Sequence, residues 1–71
     1  MIPAPATESF CDFLLSSVYI RLTPARKLLV QDIRTAAINQ TVVTQNNWNN
    51  FLLSTHNFYQ DWLLNQDFFT P

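Results

Sequence analysis

The chain has 71 residues, too few for more than one domain and enough to bury only about 60% of its unfolded surface. It is 48% apolar and carries six Phe, two Tyr and two Trp; so many rings either build an unusually aromatic core or in part cover a partner. Four basic residues against five acidic ones leave a net charge of −1, which supplies no long-range attraction for nucleic acid or for an anionic membrane.

Taken in chain order, the first helix is expected near residues 8–21. Thr7 is placed to cap it, and Glu8 stands in the first turn, where a carboxylate meets the positive helix end. Phe10, Leu14, Val18 and Leu22 recur at helical spacing with Cys11 beside them, while Phe13 and Ile20 point elsewhere. A helix apolar around most of its circumference calls for burial from more than one side.

The second helix is expected at 24–39. Thr23 caps it, and Pro24 takes the first helical position, where its missing N–H costs nothing. Proline also disfavours a helical backbone at Thr23, which separates this helix from the first. Leu29, Ile33, Ala36 and Ala37 form an inward stripe, and Lys27, Gln31 and Arg34 an outward one. The β-branched run Thr41-Val42-Val43-Thr44 reads as a connection that can be extended.

The third helix is expected at 45–66, capped by Thr44 or Asn46. Trp48, Phe51, Leu52, Thr55, Phe58, Tyr59, Trp62 and Leu63 share about a third of the circumference at 100° per residue. Leu53 and Leu64 lie off that stripe. Their eleven-residue separation is three turns, so they stand on one line. Phe68 and Phe69, close to the C-terminus, are expected to fold back or to enter a partner. The chain contains no glycine, which removes the usual residue of tight hairpins and of Gly-rich phosphate-binding loops.

Side chains with chemistry are few. Cys11 cannot pair within the chain, and its apolar helical face is the normal address of a buried structural cysteine. His56 sits at the edge of the aromatic stripe, where a ring shows an apolar face and a polar tip. One His and one Cys do not make a structural zinc site. Glu8 and Asp12, four apart near a helix N-terminus, are explained by capping and solubility. No metal, cofactor or small-molecule substrate is therefore expected. Asn39-Gln40-Thr41 matches a glycosylation acceptor, a match that an Asn-rich chain produces by composition.

The basic residues all fall between Arg21 and Arg34, and from Thr35 to Gln60 the chain has no formal charge if His56 is neutral. The N-terminal stretch lacks the basic region of a signal peptide, and the apolar run from Phe10 to Leu22 is too short and too polar to span a bilayer. A cytoplasmic setting is the expectation. These features predict an all-α fold, a small three-helix bundle or a helical hairpin plus one long amphipathic helix, forming one domain over 1–71. The expected function is non-catalytic. It is that of a small adaptor, inhibitor or assembly subunit with a regulatory role, docking on a protein partner or on its own copies through apolar helix faces. Leu53, Leu64, Phe68 and Phe69 would supply contact, and Arg26, Lys27 and Arg34 orientation. The alternative is a small helical nucleic-acid-binding regulator using the basic patch of the second helix. It is less favoured, since a specific site needs many phosphate contacts.

Overall fold

A computed structural model describes the backbone of residues 1–69 and the side chains of residues 1–64. Among the described residues the chain is all helical: α1 (Ala6–Ser16), a 3-10 turn (Tyr19–Arg21), α2 (Pro24–Asn39) and α3 (Gln45–Phe69). The backbone measures 33 × 26 × 16 Å, a slab two helices thick.

The start and the end of α1 differ from expectation. The helix begins at Ala6, Pro5 stands at the cap position, and Thr7 lies buried in the first turn with no capping role; its N–H donates to the Ala4 carbonyl at 2.9 Å. At the other end α1 stops at Ser16 and does not continue to 21. The Ser16 hydroxyl donates to the Asp12 carbonyl at 2.7 Å, and such back-bonding by serine bends and weakens a helix end. Val18 then leaves the helical region (φ −123°, ψ 14°), and the 3-10 turn closes with Arg21 N–H to Val18 O at 2.9 Å. This break keeps Val18 and Leu22 in the core while turning Ile20 fully outward, 91% exposed.

The joint into α2 forms as its residues dictate. Thr23 is extended (φ −70°, ψ 157°), its Oγ1 accepts the Arg26 N–H at 3.2 Å, and Pro24 opens the helix. Asp12 and Arg34, eleven residues on either side of Thr23, meet at 2.6 Å, as an antiparallel α1–α2 hairpin requires. The hairpin core comprises Phe10, Cys11, Leu14, Val18 and Leu22 against Val30, Ile33 and Ala36. Val30, fully buried, belongs to the inward stripe alongside the expected residues, whereas Leu29 is only partly buried.

The α2 terminus is unusual. Gln40 is left-handed (φ 55°, ψ 42°), and the Thr41 N–H returns to the Ala36 carbonyl at 3.0 Å. That is the six-to-one bond of a Schellman ending, made here without glycine. Beyond it the chain runs on to Val43, whose N–H donates to the Met1 carbonyl at 2.7 Å and whose side chain is buried. Thr44 caps α3, its Oγ1 accepting the Asn47 N–H at 3.2 Å.

Helix α3 lies across the hairpin with Phe51, Thr55, Phe58 and Trp62 buried. The one polar member, Thr55, donates its hydroxyl to the Phe51 carbonyl at 2.6 Å, so no unpaired polar group enters the core. Phe10 of α1 is the contact hub, with ring centroids 5.9 Å from Phe51, edge to face, and 5.2 Å from Trp62.

Candidate interaction surface

The stripe expected to be buried on α3 is wider than the surface that α1 and α2 cover. Its centre is sealed, but Trp48 is only half-buried, and Leu52, Tyr59 and Leu63 remain 45%, 48% and 39% exposed. The reason is angular: each exposed residue stands next to a buried one, Leu52 beside Phe51, Tyr59 beside Phe58 and Leu63 beside Trp62, so the hairpin covers α3 along its length but only part of the way around it. Leu53 and Leu64 are more open still, 72% and 61% exposed. At 100° per residue these five side chains occupy one broad outward face, with His56 and Gln60 between them and Asp61 to one side. The exposed apolar residues thus form two stripes, Leu52, Tyr59 and Leu63 on one side and Leu53 and Leu64 on the other, separated by His56 and Gln60.

Sequence reasoning singled out Leu53 and Leu64 and placed Leu52, Tyr59 and Leu63 in the core. The structure puts all five on the exposed side. The width of the α3 stripe was the available signal. The side chains of Phe68 and Phe69 lie outside the described residues.

Along one edge of this face, Tyr59, Leu52 and Trp48 join Ala6, Thr7 and Phe10 to line an open groove of about 210 Å³. Its walls are almost wholly apolar and hold no titratable group except the Tyr59 phenol. A second cleft of about 200 Å³ lies between α2 and the connection to α3, lined in part by Asp32, Val42 and Asn47. Neither brings together an acid and a base, or a nucleophile and its activator.

Three of the four basic residues, Arg21, Lys27 and Arg34, are turned to contacts within the chain. Arg34 Nε donates to Asp12 Oδ1 at 2.6 Å. Lys27 Nζ stands 4.2 Å from the Tyr19 ring centroid, and the Arg21 guanidinium lies 5.1 Å from that of Phe58. Each cation–π contact is worth about 0.5–1 kcal/mol at such sites. Arg26 is half-buried at the start of α2, where its backbone meets the Thr23 cap. Lys27 and Arg34, seven apart, share a face, whereas Arg26 is rotated about 100° from Lys27.

Cys11 is completely buried. Burial, reinforced by Asp12, pushes its thiol up to about 12, so it carries no thiolate at neutral pH. His56 is exposed on the far side of α3, and its Nδ1 meets the Leu53 carbonyl at 2.9 Å. A carbonyl only accepts, so Nδ1 donates and the neutral ring keeps Nε2 as an acceptor. A buried thiol and an outward imidazole do not form a catalytic pair. No group of three or more His, Cys, Asp or Glu among the described residues is arranged to hold a metal ion. No helix among them is long and apolar enough to cross a membrane. Comparisons with protein-family models, with curated proteins and with solved structures gave no match.

Proposed function

We propose that the protein is a non-catalytic docking module whose contact surface is the outer face of α3. The observation that carries this reading is the exposure of Leu52, Leu53, Tyr59, Leu63 and Leu64 on one helix of a chain with so small a core. Leaving five large apolar side chains in water forgoes about 25 cal/mol for every Å² that a partner could cover. The amides that fill the rest of α3 are able to hydrogen-bond across an interface without the cost of burying charge.

Adaptor, inhibitor and assembly subunit are the roles this chemistry suits, since each works by occupying a surface. The nucleic-acid alternative draws less support, because Arg21, Lys27 and Arg34 are engaged within the chain. A binding site for phosphates would have to break those contacts before it could use the cations.

A photo-crosslinking residue placed at 53 or at 64, in cells expressing the protein, tests the proposal directly. Protein adducts at both positions, and none from the exposed α2 position Gln31, are expected. No adduct from either α3 position would sink it.

A further inference from the structure

The order of residues on the outer face of α3 is nearly palindromic. Reading from one end, Leu52-Leu53, His56, Gln60 and Leu63-Leu64 are placed symmetrically about residue 58. Leu52, Leu53, Leu63 and Leu64 are all exposed, and the two leucine pairs stand about 16 Å apart along the axis. We infer that the occupant of this face is a second copy of the same chain, paired antiparallel through α3 about a twofold axis beside residue 58. The inference rests on the proposal that this face is a docking surface, and names what docks there.

The twofold makes each contact occur twice. Leu53 meets Leu63 of the second copy across the seam, Leu52 packs beside that same Leu63 on one flank and Leu53 beside Leu64 on the other, and His56 meets Gln60. The leucine contacts bury apolar on apolar at both ends. The central polar contact is matched in sign, since Nδ1 of His56 is committed to the Leu53 carbonyl and leaves Nε2 to accept from the Gln60 amide. Among the residues up to Leu64 the face has no formal charge when His56 is neutral, and Asp61 points off it by helical spacing, so this stretch of two copies meets without repulsion. Amides offer both donors and acceptors and therefore suit their own image. Eleven residues drift only about 20° at 100° per residue, which keeps both leucine pairs on the same side of the helix.

The contact is small. Stable interfaces commonly use about 20–30 residues a side, several times what this face offers, so the dimer is expected to dissociate on dilution between about 1 mM and 1 μM. Sedimentation equilibrium over that range is the first measurement. Leu53→Glu and Leu63→Lys, each alone, bring a charge against leucine at both ends of the pair. Each should raise the dimer dissociation constant at least about tenfold. Mixed in equal amounts, the two variants should recover dimer, because the heterodimer sets Glu at 53 against Lys at 63 at one end and leucine against leucine at the other. Leu52→Glu with Leu63→Lys, or Leu53→Glu with Leu64→Lys, repeats the experiment in the same register on one flank, should the other member of the first pair lose its helical circular dichroism.

A single-chain mass at every concentration overturns the self-pairing. Dimers that the mixture of variants does not recover overturn the antiparallel register. Crosslinks from residue 53 to a protein of another mass, with a single-chain mass in solution, would remove the self-pairing and leave the docking proposal standing. No crosslink at all would remove both.

Discussion

Arg34 on α2 reaches Asp12 on α1 with a 2.6 Å contact from Nε to Oδ1, and so turns the most C-terminal of the basic residues toward its own hairpin. Both side chains remain substantially open to water, 38% and 53% exposed. The pair therefore fixes the alignment of two helices more than it holds them together. Asp12→Asn is expected to cost about 0.2–1 kcal/mol, read as a shift in the urea midpoint. The loss should shrink in 1 M salt, where screening acts over about 3 Å. A loss equal at both ionic strengths would show that the contact acts through hydrogen bonding and shape alone.

Cys11 gives stability a signature at alkaline pH. Its thiol is pushed from the ordinary 9.0 up to about 12 in the folded chain, so the unfolded chain releases the proton first. Folded molecules bind more protons in that window, and stability falls as pH rises. Below about pH 9 the contribution is complete. Between 9 and 12 it should be lost with a slope of up to about 1.4 kcal/mol per pH unit. Denaturant titrations of the parent and of Cys11→Ala across this range check it. Parallel pH profiles for the two proteins would show that the thiol ionises without hindrance.

Gln40 holds a left-handed backbone, φ 55°, the one positive φ among the described residues, where glycine would be favoured and the sequence offers none. A side chain there costs about 1–2 kcal/mol. Gln40→Gly should recover about 0.5–1 kcal/mol after the added freedom of the unfolded chain is counted. In a chain of this size each kcal/mol is worth about 4–8 °C in melting temperature. A lower melting temperature would mean that the glutamine side chain makes contacts that outweigh its backbone strain.

Trp62 closes the core against Phe10, and only 7% of it is exposed. Trp62→Ala should cost about 3–5 kcal/mol, comparable to the whole stability that a core of this size supplies. The variant is expected to be largely unfolded at 25 °C by circular dichroism. A thermal melt within a degree of the parent would overturn the assignment of this face to the core.

Much of the fold was written locally. Thr23-Pro24 determined where α2 begins, because a cap and a fixed φ act within one turn and need nothing distant. The period of Phe51, Thr55, Phe58 and Trp62 determined which side of α3 turns inward, since residues three and four apart share a helical face whatever covers it. The absence of glycine removed the usual residue of tight turns, but that Gln40 would take a left-handed backbone was not legible in it. Two things were decided only in three dimensions. The end of α1 depended on the chain having to turn toward Pro24, a requirement that periodicity does not register. The exposed face of α3 depended on how far around it α1 and α2 reach. A single-helix pattern reports which residues are apolar, but the packing of the neighbouring helices decides which of them are covered, and so Leu52, Tyr59 and Leu63 joined Leu53 and Leu64 at the surface.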